Sequence, residues 1–531
     1  MLTPPTVCVL TAGRGSRMGA LCERINKALL PVDGRAIVTH IIERFPSGTR
    51  FVIALGYLGH LVREYLDIAH PGIAIDYVEV DRTQGPGSGP GYSLLCCREH
   101  LRDPFYFVSC DTLFEADLTK APDTSWIGVS LVPADRSSDY CTVECEDGSV
   151  VKLHDKAHVE HPVHAFTGLL FVADPEPFFR GLGSPQLISG EQQISSGLQA
   201  LMEGPGLESF EIDWMDLGDV TRYREALEKD DAFDFSKTEE CIYFVGDYAV
   251  KFFADSNVAR DRIRRAEYAK HVFPEISRVG RHFYSYRFVP GRTLYQIDSP
   301  RMLEKLLPWL EGELWKPSVV PPNRMFSLCQ QFYREKTLQR CASFVGKYKE
   351  DPLPMRVNGV QVAPVAELLE QVPWQVLCSG VPVFIHGDLQ FDNILHCEAT
   401  DSFLLLDWRQ NFAGEVAFGD LYYDLAKLLG GTMIHYDLVK LGRFSFQKEV
   451  SEEGVRVEFP QRPTSNEYRR ILRNYVGKRG LDFERIELLT ALIFLNMSPL
   501  HHAPFDRALH AFGRLCLTEA LGRYDGATSS S

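Results

Sequence analysis

Apolar residues fall along this chain in two rhythms. Near its start, short apolar runs at 6–12 (TVCVLTA), 51–55 (FVIAL), 75–80 (IDYVEV) and 105–109 (FYFVS) recur between stretches of helical spacing such as Ile37–Phe45 and Gly59–Leu66. Strands separated by helices are the pattern of a parallel sheet with crossover connections, which makes the N-terminal part an α/β domain. Helical spacing returns over Val220–Leu227, and the next stretch, 228–240 (EKDDAFDFSKTEE), is acidic and nearly free of aliphatic residues. It has little to bury, so the domain boundary falls there, giving halves 1–230 and 231–531 that are expected to fold separately. Beyond it, CIYFVGDYAVKFF (241–253) predicts a β-hairpin turning at Gly246-Asp247, followed by a charged helix Val258–Val272. From about residue 300 helical spacing dominates, interrupted by the apolar run that ends at His386.

Composition narrows the function classes. A chain of 531 residues is too long for one core. Its net charge of −15 opposes a nucleic-acid partner, which would need a basic face. The 13 cysteines are scattered without a CxxC pair, the usage of buried apolar residues or free thiols rather than of zinc ligands. The N-terminus lacks a basic leader followed by an apolar core, and no run approaches the roughly 18 apolar residues that span a bilayer. A soluble cytoplasmic protein acting on small molecules is expected.

The run FIHGDLQFDNIL (384–395) places His386-Gly387-Asp388 five residues ahead of Asn393, the H-x-D-x4-N spacing of a kinase catalytic loop. FLLLD (403–407) then ends an apolar strand in Asp407, and FGDLYYDLAKLL (418–429) supplies Asp420 and Asp424 at a helix start. Together these segments resemble the aminoglycoside phosphotransferase and choline kinase family. The resemblance implies an α+β kinase-like domain with Asp388 as catalytic base, Asn393 and Asp407 as Mg²⁺ ligands and Asp420 in a structural role. It also implies a phosphate-gripping Lys251 in YAVKFF, Glu267 on the next helix as its ion-pair partner, and a hinge in YRFVPGRTL (286–294). Asp407 is followed by Trp408-Arg409 rather than Phe-Gly, and no G-x-G-x-x-G loop precedes Lys251. Both departures are usual in the small-molecule branch and oppose a protein kinase.

At the other end, LTAGRGSRMG (10–19) sets Gly13, Arg14, Gly15 and Arg17 directly after the first strand. Glycines there let backbone N–H groups approach phosphate oxygens, and arginines add charge-assisted bonds. The dinucleotide-binding fingerprint is missed by one residue. NKALLPVDGRAIV (26–38) adds Lys27, with Asn26 before it, and QGPGSGPGYSLL (84–95) adds Gly89. VSCDTLF gives Asp111, HDKA gives Lys156 and DWMDLGDVTRY gives Asp216. Over about residues 5–230 this order resembles the nucleotidyltransferases that join an NTP to a sugar phosphate or phosphocholine, in which proline commonly stands where Asn26 does. The resemblance implies a Rossmann-like domain with Lys27 and Arg17 catalytic, Gly13, Arg14, Gly15, Gly89 and Lys156 at the nucleotide and phosphates, and Asp111 and Asp216 on Mg²⁺. The chemistry agrees, since bringing two phosphate anions together requires cations.

A kinase that makes a phosphate monoester and a transferase that consumes one form a two-step activation on one chain. The expectation is ATP-dependent phosphorylation of a small sugar or cyclitol, then coupling to CTP, GTP or UTP for surface glycan synthesis. Alternatives are a choline or ethanolamine kinase joined to a cytidylyltransferase, an antibiotic-modifying phosphotransferase with a vestigial N-terminal domain, and a nucleotide-sensing protein with inactive folds.

Overall fold

The computed structural model describes residues 5–183, 187–188, 190–227, 239–349, 355–449 and 454–528. The acidic stretch 228–240 lies outside the described residues except for its last two. The chain divides into two compact units: the described residues within Met1–Asp230, Ser236–Ser256 and Ser277–Tyr286 form the first, and those within Asp231–Phe235, Asn257–Ile276 and Arg287–Ser531 form the second. Among the described residues, no helix is long and apolar enough to cross a membrane, and all 13 cysteines are free.

The first unit is built on a nine-stranded sheet. The four expected runs form its parallel half in the order Ala74–Glu79, Arg50–Leu55, Thr6–Leu10, Phe105–Ser109. Alternation covers both faces: Val7 and Val9 enter one core with Phe51 and Ile53, while Cys8 and Leu10 enter the other with Phe105 and Phe107. The sheet is not parallel throughout, because Val163–Val172 runs antiparallel to Phe105–Ser109, and Cys141–Glu146 and Ser149–Asp155 form a hairpin. That hairpin turns through Asp147 (φ 47°) and Gly148 (φ 84°), where a tight turn reverses the chain without a crossover helix. Thr6–Leu10 is flanked by strands reached in opposite directions along the sheet, which opens a crevice beyond its C-terminal end.

The hairpin expected at 241–253 forms as Glu240–Val245 and Tyr248–Phe253 and belongs to a four-stranded sheet that continues through Phe283–Arg287 to Ile276–Val279. These strands do not begin a separate core. Tyr243, Val245, Val250, Phe252 and Phe283 share one buried cluster with Val38, Ile41 and Tyr65 of the first unit. Tyr243 is fully buried, its ring 4.9 Å from that of Tyr65, and its hydroxyl donates to Leu29 O at 2.7 Å. Glu64 accepts from the backbone N–H groups of His282 (2.6 Å) and Phe283 (3.0 Å). This division differs from the boundary expected at 230: apolar residues past the acidic stretch are buried in the first core.

In the second unit the three strands Arg292–Thr293, Ile394–Cys397 and Ser402–Leu405 pair antiparallel, and helices including Leu421–Gly431, Phe483–Met497 and Phe505–Thr528 pack around them. The helix expected to reach Val272 spans Ser256–Tyr268, and the Val272 carbonyl instead accepts from Leu405 N. A further four-stranded sheet (Val360–Val362, Met355–Val357, Gly454–Glu458, Ser445–Glu449) interrupts a region whose spacing had read as helical.

Candidate functional sites

In the first unit the Gly-rich turn follows Thr6–Leu10 at the mouth of the crevice. Gly13, Arg14 and Arg17 are exposed on it, and Arg14 lies 5.5 Å over the Tyr57 ring. Gly15 takes a left-handed conformation (φ 64°) before the turn Ser16–Cys22, and a Cβ there would stand 3.4 Å from the Lys27 Cβ. Asn26 is fully buried: its amide donates to Thr11 O (2.9 Å) and Tyr57 O (2.7 Å), and its Oδ1 accepts from Ala28 N (2.9 Å). It thereby anchors the short turn Lys27–Leu29. Lys27 is buried and donates to Asp111 Oδ2 (2.9 Å) and Gly218 O (3.1 Å).

Asp111 and Asp216 meet because Thr112–Glu115 pairs antiparallel with Asp213–Asp216, with Thr112 opposite Asp216. Burial works to raise the Asp111 carboxyl, but Lys27, the Ser109 hydroxyl and Arg17 override it and hold it down at about 2. Asp216 accepts from Tyr140 OH, Arg222 Nη1 and Gly218 N, each at 2.7 Å. Arg17, Asp111, Lys156 and Asp216 line one cavity of about 200 Å³, with Tyr140 and Trp214 in its wall. Two buried atoms of that wall, Asp155 Oδ2 and Trp214 Nε1, have no hydrogen-bond partner among the described residues. Gly89 precedes the helix Pro90–Cys96.

Tyr140 and Arg222, which hold Asp216, and Ser109, which holds Asp111, escaped the sequence reading. Ser109 stands two residues from Asp111 in the same apolar run and Arg222 six residues beyond Asp216, whereas Tyr140 is far from Asp216 in the sequence and meets it only in the fold.

In the second unit the segment 386–388 hangs on Asp424, which accepts from His386 N (2.8 Å), Gly387 N (2.7 Å) and Trp315 Nε1 (3.0 Å). Burial pushes the Asp424 carboxyl up to about 6. A carbonyl only accepts, so His386 Nε2 carries the proton it donates to Leu406 O (2.9 Å), and Nδ1 accepts from Asp388 N (3.2 Å). Burial lowers His386 to about 4, keeping it neutral at pH 7. Gly387 has φ 82°, and a Cβ there would lie 2.7 Å from the Arg409 Cβ.

Asn393 donates through Nδ2 to Asp388 O (2.8 Å), and its carbonyl accepts from Leu406 N (2.8 Å), which ties the loop to the strand end bearing Asp407. Asp388 pairs with Lys427 (2.7 Å); burial works to raise its carboxyl, but the ammonium holds it below its ordinary value. Asp407 pairs with Arg262 (2.6 Å). Asp420 is fully buried and accepts from Tyr333, Val381 N and Arg485.

Lys251 is buried on Tyr248–Phe253 in the first unit, whereas Glu267 is exposed in the second and enters no ion pair among the described residues. The helix turns Arg262 toward the acidic strand end, because the strand end at Asp407 supplies the carboxylate that a buried guanidinium needs. Lys427 also escaped the sequence reading, although it lies one helical turn beyond Asp424.

Residues 7–121 fit a family profile described as "MobA-like NTP transferase domain". The chain is 25% identical over 224 residues to "UTP--glucose-1-phosphate uridylyltransferase AglF" of Haloferax volcanii, covering 40% of this chain and 90% of that protein. It is 24% identical over 219 residues to "Bifunctional protein GlmU" of Methanococcus vannielii, covering 40% of this chain and 51% of that protein. Over 134 residues it is 31% identical to "CMP-5'-(3-aminopropyl)phosphonate synthase" of Streptomyces rubellomurinus, covering 24% of this chain and 21% of that protein. The chain thus spans about half or less of two of these relatives' own length. The Gly-rich turn, Lys27 and Asp111 lie within the N-terminal residues that fit the MobA-like NTP transferase domain, and one of the relatives is named as a uridylyltransferase of glucose 1-phosphate.

Proposed function

We propose that the chain couples two transfers: a kinase step at Asp388 makes a phosphate monoester of a small sugar or cyclitol, and the N-terminal domain joins that monoester to an NTP. The observation that carries the reading is the convergence of Arg17, Lys27, Asp111, Lys156 and Asp216 on one crevice in a domain whose relatives are nucleotidyltransferases. There a monoester oxygen attacks the α-phosphorus of the NTP, a new P–O bond forms, and the bond to the β-phosphate oxygen breaks, releasing pyrophosphate. Arg17 and Lys27 offset the growing negative charge, and Lys156 orients the monoester. Asp155 Oδ2 and Trp214 Nε1 supply an unused acceptor and donor suited to a hydroxylated compound.

Among the described residues no group of three or more His, Cys, Asp or Glu side chains converges as a metal cage. Asp111, held ionised, and Asp216 instead fit Mg²⁺ shared with substrate phosphates, the usual arrangement for that ion. When bound it supplies charge neutralisation of the triphosphate.

In the second unit Asp388 accepts the proton of the acceptor hydroxyl while that oxygen bonds to the γ-phosphorus of ATP and ADP leaves. Asn393, whose Nδ2 is engaged and whose Oδ1 remains for a cation, and Asp407 fit Mg²⁺ there. The test combines mass spectrometry of products from ATP, CTP, GTP and UTP with two variants. Asp388→Asn is expected to abolish monoester formation and spare pyrophosphate release from a supplied monoester, and Lys27→Ala the reverse. Loss of both activities in a folded Asp388→Asn protein refutes the two-site reading.

A further inference from the structure

Around Asp388 the second unit gathers Lys336, Arg340, Arg409 and Lys427. The helical run from Pro322 to Tyr348 is interrupted by a π-helical segment, Gln330–Glu335. Such widened turns re-aim side chains and are frequent at functional sites. Directly after it, Lys336 Nζ lies 3.7 Å over the Phe332 ring and 6.0 Å over that of Tyr423, and the Arg409 guanidinium lies 4.8 Å over the same Phe332. Arg340 donates to Asn496 O (3.1 Å). Lys427 is occupied by Asp388, but Lys336, Arg340 and Arg409 have no carboxylate partner among the described residues, and Arg409 Nε is buried without a hydrogen-bond partner.

Burial, then repulsion from Arg409, Arg340 and Lys427, lowers the Lys336 ammonium well below its ordinary value, with Asp388 the opposing attraction. Asp388, with Asp407 and Asp392 near it, offsets part of this charge, but Lys336, Arg340, Arg409 and Lys427 still repel one another across aromatic walls where water screens poorly. An added anion relieves that repulsion, whereas a quaternary ammonium such as choline increases it.

We infer that the acceptor phosphorylated at Asp388 is a hydroxylated anion, its carboxylate or phosphonate seated on Lys336, Arg340 and Arg409 while its hydroxyl faces Asp388. This rests on the kinase reading of that site and names its substrate class. It replaces the neutral sugar or choline by an acid bearing a free hydroxyl.

The full chain is tested with ATP and matched probes: D-glycerate, D-gluconate and 2-hydroxyethylphosphonate against glycerol, glucose and choline. ADP formation is expected to favour at least one anion over the neutral and cationic probes by about tenfold or more in kcat/KM, the scale of one charge-assisted hydrogen bond. The carboxylate and phosphonate arms distinguish the two anion types. Arg340→Gln is expected to raise the KM of the preferred anion by a similar factor and leave the KM of ATP unchanged. Equal turnover of glycerol or glucose, or a rise in the KM of ATP instead, overturns the inference, the latter assigning the cluster to the nucleotide. Calorimetric titration of the same anions needs no turnover. Binding to wild type that is lost in Arg340→Gln sustains the anion site even where no probe is phosphorylated and the kinase reading itself fails. Absence of binding by all three anions overturns it.

Discussion

Tyr243→Ala tests whether residues beyond the acidic stretch hold the N-terminal site together. Tyr243 is fully buried against Tyr65, and its hydroxyl satisfies the carbonyl of Leu29, the last residue of the turn that begins with Lys27. Removing a buried aromatic ring costs about 3–5 kcal/mol, and a buried carbonyl left without its donor adds about 1–3 kcal/mol. A total of roughly 4–8 kcal/mol compares with a net stability of about 5–15 kcal/mol for a domain. In a unit of this size that corresponds to a fall in Tm of roughly 10–25 °C. Tyr243→Phe keeps the ring and loses the hydrogen bond, so about 1 kcal/mol and a few degrees are expected. The assay is thermal melting of the full chain by near-ultraviolet circular dichroism, paired with residual pyrophosphate release after heating, which reports the first unit alone. If Tyr243→Ala loses nucleotidyl transfer at the wild-type temperature, the hairpin is not part of that core and the reasoning fails.

Gly387→Ala forces a side chain to φ 82° and against the Arg409 stem, a strain of about 1–3 kcal/mol before the contact is counted; phosphorylation should fall while pyrophosphate release persists. Asn26→Ala removes three hydrogen bonds that anchor the Lys27 turn, and a loss of roughly 2–4 kcal/mol is expected in urea unfolding followed by nucleotidyl transfer. Asp111 titrates at about 2 in the fold, below the ordinary carboxylate value of about 4, so its stabilising contribution is present above pH 4 and is lost as the pH falls toward 2. In Lys27→Met, unfolding midpoints measured across that window should lose this dependence; an unchanged profile would show that Lys27 does not hold Asp111 ionised.

What the sequence determined by itself is local. The strands Thr6–Leu10, Arg50–Leu55 and Phe105–Ser109 were legible because apolar residues buried on both faces leave few other conformations, and Phe105–Ser109 and Val220–Leu227 match their expected limits residue for residue. The Gly-rich turn and the 386–393 spacing were legible because phosphate and metal chemistry demand particular groups at short intervals. Asp111 with Asp216, Asp216 with Tyr140, and Asp388 with Lys427 were beyond local reading, since strand register and packing alone bring them together. The tertiary structure also decided where the first core ends. A stretch poor in aliphatic residues marks a place with little to bury, but it cannot say which core the next apolar residues will join. Tyr243, Val250 and Phe283 fill space beside Tyr65, and close packing, which depends on shape and volume rather than on order along the chain, makes them part of the first unit.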